Sequence, residues 1–301
     1  MSPWVLRGLR DGVVTTRWPA RPDAYADSWR GPAAVLDPRP AGAADLASVC
    51  PAGAIGTGAD GALSLDQGRC VLCGRCVSQR PDVFGWSRGT AAGALTRTGL
   101  VVPGIPETDE NLAAVQAALA ARTAALRRSV HLRHVDAGSD GSEEHEIAAL
   151  LNPVYDIHRL GIFFTASPRH ADVLLVTGAG AHGMAEPLRR THAGMPDPKI
   201  VIAVGTDAVS GGLLGGSADG TGPEQTSHGR AAAPDGGPVS AGLPGAGFPG
   251  GSYATSGGVG SVVPVDVWVP GSPPPPFSIL HGLLAGLGRL PRGLEPAEAR
   301  R

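Results

Sequence analysis

Several features that mark large classes of proteins are scarce or missing in this sequence. Aromatic residues make up only 4% of the 301 residues, so the core must be built from Leu, Val, Ile and Ala. No apolar run reaches the ~18 residues of a transmembrane helix. Basic and acidic residues number 25 and 27, which gives a net charge of −2. This balance excludes a nucleic-acid-binding protein that is held mainly by charge.

Targeting signals are missing as well. Residues 1–10 contain no apolar stretch of the signal-peptide kind, and the apolar residues 279–290 are too few to cross a bilayer. We therefore expect a cytoplasmic protein without a direct membrane span. Any association with a membrane would come through partner subunits.

The pattern of residues divides the chain into four parts. Residues 1–45 show no clear period, which predicts an extended arm. Residues 46–104 contain all four cysteines and many glycine turns, and residues 105–128 have the apolar spacing of a connecting helix. Residues 129–301 are the largest part. Within it, about 217–250 is rich in glycine and lacks a period, which predicts a flexible loop.

The largest part alternates between strand-like and helix-like patterns. Strands are predicted at Val130–Val135, Ala171–Thr177, Lys199–Val204 and Val262–Val269, and helices at Glu143–Leu151, Met184–His192 and Phe277–Leu287. Strands that alternate with helices imply right-handed crossovers. The sequence therefore predicts an α/β domain whose parallel sheet is covered by helices on both faces.

The cysteines carry the strongest chemical signal. They are Cys50, Cys70, Cys73 and Cys76. The last three form a Cys-x-x-Cys-x-x-Cys run, and the first is followed by proline. In bacterial ferredoxins such a run and a remote Cys-Pro supply the four ligands of 4Fe–4S clusters. We therefore predict one 4Fe–4S cluster on these thiolates. A second cluster is not expected in this segment. Two-cluster ferredoxins have a Cys-Pro pair after each run of cysteines, and here the corresponding residues 80–81 are Arg-Pro.

A structural zinc site made of four cysteines is the alternative. Such sites usually show two separated Cys-x-x-Cys pairs rather than a run of three cysteines. Four thiols within 27 residues, in a chain without a secretion signal, indicate a metal site rather than disulfides. The spacing favours iron–sulfur ligation over zinc.

A glycine-rich loop suggests a different chemistry. Residues 178–183 fit the G-x-G-x-x-G pattern of dinucleotide-binding proteins, follow a predicted strand and precede the acidic residue Asp207. Taken alone, this loop would indicate NAD. In a chain with 45 glycines such a match arises easily by chance, so nucleotide binding is the weaker interpretation. Serine-hydrolase chemistry has no support, because Ser139 and Ser142 do not fit G-x-S-x-G.

Longer motifs from residue 134 onwards resemble a known family. They are His134–Ser139, Leu151–Gly161, Ala166–Gly178, Met195–Gly205 and Pro264–Gly271. These segments resemble the small subunit of membrane-bound (group 4) nickel–iron hydrogenases, and they are similar to the 20-kDa-type subunit of respiratory complex I. Trp4–Arg10 and Thr15–Arg17 resemble hydrogenase versions with a fused ferredoxin-like iron–sulfur segment.

The resemblance implies a flavodoxin-like doubly wound sheet that holds one proximal 4Fe–4S cluster. It also implies a hydrogenase large-subunit-like or 49-kDa-type partner, further subunits of a membrane-bound complex, and a place on the inner face of the plasma membrane. Tyr155, Asp156 and Arg159 lie in a motif near the partner. A local salt bridge and helix cap is the alternative role for these three residues.

All four cysteines of the family's proximal cluster are replaced in this chain. Their positions hold Asp140, Glu143, Asp207 and Ser272. Cluster irons prefer thiolate sulfur, and four oxygen groups together are poor ligands for a cubane. We therefore predict that no proximal cluster forms. The converging carboxylates must take up protons, admit water or bind a cation. A vacated polar pocket is favoured over a specific metal site.

Three functions are compatible with these features. The first is an iron–sulfur electron-transfer subunit of a hydrogenase-like or NADH:quinone-oxidoreductase-like complex, with no catalytic activity of its own. The second is a redox-inactive structural or assembly subunit, because the lost ligands remove the obvious electron relay. The third is a cation-binding regulatory module that uses the acidic pocket.

Overall fold

A computed structural model of the chain describes residues 3–21, 29–58, 60–103, 109–126, 129–215 and 254–290. The helices in these residues are α1 (Pro3–Asp11), α2 (Ala43–Leu46), α3 (Arg75–Gln79), α4 (Asp109–Thr123), α5 (Ser142–Ala149), α6 (His182–Ala193), α7 (Thr206–Ser210) and α8 (Pro276–Gly286). The strands are β1 (Arg30–Val35), β2 (Ile55–Thr57), β3 (Leu63–Asp66), β4 (Phe84–Arg88), β5 (Val101–Val102), β6 (Val130–Asp136), β7 (Ile162–Phe164), β8 (Val173–Thr177), β9 (Ile200–Val204) and β10 (Val267–Val269). The loop predicted at about 217–250 lies outside the described residues.

The largest sheet has five parallel strands in the order β10-β9-β8-β6-β7. Counted from β6, this is the 2-1-3-4-5 order of flavodoxin-like folds. Every residue of β8 and β9 is buried. Along β8, Val173 and Leu175 pack into one apolar cluster and Leu174 and Val176 into another, so both faces of the sheet are covered. The predicted α/β fold with a flavodoxin-like parallel sheet is confirmed.

The start of the chain is anchored to this domain. Trp18 is buried and packs edge-on against Phe277, with ring centroids 5.8 Å apart. The backbone N–H of Thr16 donates a 2.9 Å hydrogen bond to Val154, and the Arg159 guanidinium donates to the Trp18 carbonyl. Tyr155 packs against the same ring of Phe277. Tyr155 and Arg159, which the sequence motif places near a partner, therefore make contacts within the chain.

Part of the predicted arm is regular. Pro3–Asp11 is helical rather than extended, and Arg30–Val35 is an extended strand that pairs antiparallel with β4. The helix is only nine residues long, contains Gly8 and buries no residue. Because the helix is short and packs on no core, it has too few apolar positions for a helical period to be recognised in the sequence.

Two strands of the large sheet also differ from the prediction. β7 was not predicted, because three residues are too few to show a pattern. The strand predicted at Val262–Val269 is shortened to Val267–Val269. Pro264 has no N–H to donate to a neighbouring strand, and a 3₁₀ turn occupies Val259–Ser261.

Residues 30–102 form a smaller part, which we call the cysteine segment. Its strands make two antiparallel sheets, β1-β4 and β2-β3-β5. Ile55, Leu63, Leu65 and Phe84 are almost fully buried and pack into one apolar cluster that includes two of the cysteines. The ferredoxin-like character of this segment stays a prediction.

Candidate functional site

All four cysteines line one cavity of the cysteine segment. Cys70 and Cys76 are buried, Cys50 is half-buried and Cys73 is exposed. The other residues that line the cavity are small or apolar, namely Ala33, Pro51, Ala54, Ile55, Leu65, Val71 and Gly74. The fold therefore brings the distant Cys50 to the run of three cysteines and surrounds the four thiols with apolar groups.

The chain turns tightly inside the cysteine run. Gly74 begins α3 with a φ of +69°, and a Cβ at this position would lie 2.8 Å from the Trp86 ring. Glycine is favoured here both by the left-handed backbone and by the close approach of the ring. Leu72, with a φ of +56°, also has left-handed backbone. The turn lets Cys73 and Cys76 reach the same cavity.

The two buried thiols of this cavity, Cys70 and Cys76, resist ionisation when they are free. Burial raises the pKa of Cys76 to about 11, and the neighbouring Cys70 raises it further. Burial is also the main cause that raises the pKa of Cys70. Because metal ligands must be thiolates, binding of a metal or cluster here would release protons.

A buried ion pair supports the turn that leads into Cys70. The Asp66 carboxylate is almost fully buried and accepts a 2.8 Å hydrogen bond from Arg97. The same oxygen accepts a 2.9 Å hydrogen bond from the backbone N–H of Gly68. The pair was not identified from the sequence. The available signal was an aspartate at the end of an apolar strand, four residues before a cysteine.

The cysteine segment packs on the carboxyl edge of the parallel sheet. The Thr206 hydroxyl, at the start of α7, donates a 3.1 Å hydrogen bond to the carbonyl of Cys70. A Cβ at Gly68 would lie 2.7 Å from the side chain of Val209, so the two backbones approach closely. Because α7 directly follows β9, this contact covers the edge of the sheet where ligands bind in open α/β folds.

The four positions that the resemblance assigns to the proximal-cluster ligands lie at this same edge. Asp140 and Glu143 follow β6, Asp207 follows β9, and Ser272 follows β10. A Cβ at Gly205 would overlap the Glu143 carboxyl, which places this side chain against the start of α7. The backbone N–H of Thr206 donates a 2.7 Å hydrogen bond to the carbonyl of Gly271, the residue before Ser272.

Burial dominates the electrostatics of this acidic pocket. Glu143 is 1% exposed, and burial raises its pKa to about 7, with smaller contributions from the charges of Asp207 and Asp140. Burial also raises the pKa of Asp207, and the charge of Asp140 raises it further. Hydrogen bonds from Ser142 lower the pKa of Asp140. The pocket therefore separates one readily ionised carboxyl from two that resist ionisation.

Ser142 connects two of these carboxyls. Its hydroxyl lies 2.6 Å from Oδ1 of Asp140 and 3.0 Å from Oε2 of Glu143. One hydroxyl has one proton, which it donates to the ionised Asp140. A protonated Glu143 then donates to the Ser142 oxygen, so both short contacts are satisfied when Glu143 is neutral.

The donor chemistry of the acidic pocket does not fit the family's proximal cluster, because three carboxyls and a hydroxyl contain no sulfur. Among the described residues, no three or more His, Cys, Asp or Glu side chains form a group that could hold a single metal ion. This statement covers both the acidic pocket and the cysteine cavity.

A further polar network lies where β6 and β8 end. His134 Nε2 is 3.0 Å from the Thr177 hydroxyl, which donates to Glu144, and the Ser139 hydroxyl donates a 2.6 Å hydrogen bond to the same carboxylate. Burial lowers the pKa of His134. The network was not predicted. Its signal was a single threonine at the end of a strand of Val and Leu. Its members bond to one another and so tie α5 to the sheet.

The glycine loop of residues 178–183 is covered by other backbone. A Cβ at Gly178 would overlap the backbone of Gly138, and one at Gly180 would lie 2.7 Å from the carbonyl oxygen of Gly258. The N–H of His182, at the start of α6, donates a 2.9 Å hydrogen bond to Ala254. These glycines therefore serve close packing within the protein, which argues against the NAD interpretation.

Comparison with known proteins relates this arrangement to one family. Residues 141–286 match the family model described as NADH ubiquinone oxidoreductase, 20 Kd subunit. The probable membrane-bound hydrogenase subunit mbhJ of Pyrococcus furiosus is 36% identical over 165 residues, which are 55% of this chain and 78% of that protein. The chain belongs to the NADH ubiquinone oxidoreductase 20 Kd subunit family. The resemblance inferred from the sequence motifs is confirmed.

For two further similar proteins, the match covers a smaller share of the other protein's length. Formate hydrogenlyase subunit 7 of Escherichia coli (strain K12) is 35% identical over 187 residues, which are 62% of this chain but only 58% of that protein. A chain in the structure of an archaeal membrane-bound sulfane sulfur reductase gives a TM-score of 0.39 at 23% identity, covering 57% of this chain and 75% of that one. Within the described residues, none of the helices has the length and apolarity needed to cross a bilayer.

Proposed function

We propose that this family member is an iron–sulfur electron-transfer subunit of a hydrogenase-like or NADH:quinone-oxidoreductase-like complex. One 4Fe–4S cluster would be held by Cys50, Cys70, Cys73 and Cys76. The observation that carries the proposal is the apolar cavity lined by these four cysteines, which come from two separate segments. When bound, such a cluster accepts and releases single electrons.

The cysteine spacing fits a cluster better than a zinc ion. Zinc sites usually show two separated Cys-x-x-Cys pairs, whereas this chain has a run of three cysteines and one remote cysteine. A cubane takes one thiolate at each of four irons. The apolar lining would exclude water from the cluster.

The four cysteines would have different surroundings. Cys73 is exposed, so a redox partner would approach the cluster from its side. Cys70 is buried against α7, where its carbonyl accepts the hydrogen bond from Thr206. We infer that no proximal cluster forms at Asp140, Glu143, Asp207 and Ser272, and that the pocket holds neutral acid and hydrogen-bonded polar groups instead.

The same proposal includes the partners. The names of the relatives describe subunits of membrane-bound hydrogenases and of NADH oxidoreductases. We infer a large-subunit partner of the hydrogenase or 49-kDa type. The complex would lie on the cytoplasmic face of the membrane, with this chain attached peripherally through partner subunits.

A redox-inactive structural subunit is the second candidate. In its favour, the positions that the resemblance assigns to the proximal ligands hold the oxygen-bearing side chains Asp140, Glu143, Asp207 and Ser272. In that case the cysteine cavity would stabilise the fold without passing electrons to a large subunit.

The deciding experiment is the content of iron and acid-labile sulfide in anaerobically purified full-length protein, with EPR of the reduced sample. We expect about four irons per chain and one cubane signal. Cys73→Ser should abolish the signal, whereas Ser78→Ala, two residues beyond the run, should leave it unchanged. About eight irons would contradict the vacated proximal site. A protein that takes up no reducible cluster on reconstitution would be the redox-inactive subunit, and bound zinc would identify a structural zinc site.

A further inference from the structure

The helix α1 exposes an unusual share of the apolar side chains. Ten large hydrophobic residues are exposed among those described, and five of them lie between residues 4 and 14. They are Trp4, Leu6, Leu9, Val13 and Val14. Trp4 is 74% and Leu9 73% exposed, and no residue of α1 is buried. Scattered apolar residues need no explanation, but a group of five on one short segment indicates a contact surface.

The side chains of α1 are sorted between two faces. Val5, Leu6 and Leu9 recur at spacings of three and four residues, which places them on one side of the helix. Trp4, Arg7 and Arg10 recur at spacings of three residues and follow a different side of the helix. Arg7 also lies 3.9 Å from Asp11, one turn further along. The helix is therefore amphipathic although it packs on no core.

The charge of this region is opposite to that of the whole protein. Residues 3–21 contain four arginines and one aspartate, whereas the complete chain has a net charge of −2. A short helix with aliphatic residues on one face, and with arginines and a tryptophan beside that face, matches the interface of an anionic bilayer, where Trp and Arg lie at the level of the headgroups. The arginines would lie at the level of the phosphates, and the apolar face at the boundary with the acyl chains.

The helix is attached to the domain at a fixed point. Gly12, with a φ of +66°, ends the helical backbone, and the exposed residues 13 and 14 follow. The Thr15 hydroxyl then donates a 2.7 Å hydrogen bond to the carbonyl of Pro153, and Trp18 is buried in the core.

We propose that α1 binds the surface of an anionic lipid bilayer directly. The chain would then contact the membrane itself, in addition to any attachment through partner subunits. One short helix gives weak and reversible binding, so it would orient the protein on the membrane rather than anchor it permanently. This proposal does not depend on the iron–sulfur cluster.

Vesicle flotation of the full-length protein tests the proposal. We expect binding to vesicles of mixed phosphatidylglycerol and phosphatidylcholine that is at least ~10-fold stronger than to phosphatidylcholine alone, because each arginine near an anionic surface adds about a 5-fold attraction. Added salt should weaken it. The double variant Leu6→Glu/Leu9→Glu should lose binding at least ~10-fold. The matched control Leu213→Glu/Leu214→Glu, at exposed leucines far from α1 in the sequence, should bind like the wild type.

The result that overturns the proposal is equal binding by both double variants, or equal binding to the two kinds of vesicle. Absence of binding to either vesicle, together with a loss of complex formation in the α1 variant, also overturns it and assigns the surface to a protein partner. Because α1 buries no residue, its substitutions should leave the circular dichroism spectrum unchanged. Iron content measured on the same samples keeps this test separate from that of the cluster.

Discussion

The Thr206 hydroxyl donates a 3.1 Å hydrogen bond to the backbone carbonyl of Cys70, and this bond joins the parallel sheet to the cysteine segment. Thr206 is completely buried, so water cannot replace the bond. Removing the hydroxyl would leave a buried carbonyl without this partner, which costs about 1–3 kcal/mol. The bond therefore connects the stability of the sheet with the position of a proposed cluster ligand.

Thr206→Val should lower the free energy of unfolding by about 1–3 kcal/mol and speed the loss of iron to a chelator, because the Cys70 turn loses its support. Both are measured on the anaerobic protein, by denaturant titration and by the rate of iron release. Thr191→Val is the matched control, since its hydroxyl donates to a carbonyl on an exposed stretch of α6. Equal unfolding free energies and equal rates of iron release for the two variants would show that the Thr206–Cys70 hydrogen bond does not contribute to stability.

Restoring sulfur to the acidic pocket should restore a second cluster. The variant carries Asp140→Cys, Glu143→Cys, Asp207→Cys and Ser272→Cys, the four positions that lie at one edge of the sheet. We expect iron to rise from about four to about eight per chain after anaerobic reconstitution, because four thiolates replace oxygen ligands that a cubane does not accept. The control is the triple variant Asp140→Ser, Glu143→Ser and Asp207→Ser, which keeps Ser272 and supplies no sulfur. Iron that stays at four would show that the backbone there has also changed.

The stability of the protein should depend on pH through Glu143. Its folded pKa is about 7, against 4.5 for the unconstrained side chain, so the folded state holds this proton more tightly. As pH rises from 4.5 to 7 the unfolded state loses its proton first, and stability falls. Above pH 7 the protein has lost this whole contribution to its free energy of unfolding, which is roughly 3 kcal/mol.

Glu143→Gln has no such proton to lose. The stability of this variant relative to the wild type should therefore rise by roughly 3 kcal/mol between pH 4.5 and about pH 8. Denaturant titrations of both proteins at the two pH values measure this difference. Glu186→Gln, at an exposed glutamate of α6, should show no such rise. A flat difference for Glu143→Gln would mean that folding does not raise the pKa of this carboxyl.

The Asp66–Arg97 pair should be essential to the cysteine segment. Arg97→Met would remove the two hydrogen bonds that Arg97 donates to the carboxylate of Asp66, whose side chain is 6% exposed, and leave Arg69 as the nearby positive charge, at a cost of about 1–3 kcal/mol. Adding Asp66→Asn should recover part of this loss, because the amide still accepts from Gly68 and carries no charge. Arg39→Met breaks the exposed pair with Asp60 and should have no measurable effect. Unfolding midpoints of the four proteins complete the comparison.

The buried strands of the large sheet were predictable because they are continuous apolar runs. β8 and β9 are buried at every residue, so their composition alone distinguishes them. β7 escaped detection with its three residues, and α1 did so because its apolar face packs on nothing in this chain. The spacing of apolar residues reflects burial within one polypeptide. It is least informative for a surface that contacts another molecule.

The candidate site was also only partly predictable from the sequence. The cysteine spacing predicted which thiols lie together, since ligands of one cluster must converge. The sequence could not show that Thr206 and Val209 would pack on the turn before Cys70, because that contact joins residues about 140 positions apart. Nor could it show that Ser142 would bridge Asp140 and Glu143, which depends on side-chain positions after folding.

The contact between the cysteine segment and α7 links the stability of this segment to that of the parallel sheet. A ligand that binds only the folded cysteine segment also stabilises the sheet on which that segment packs. Iron supply and oxidative damage would then act on the lifetime of the whole polypeptide. Without the proposed cluster, the cysteine segment would lack this added stability, and the start of α7, on which it packs, would be exposed to proteolysis more often.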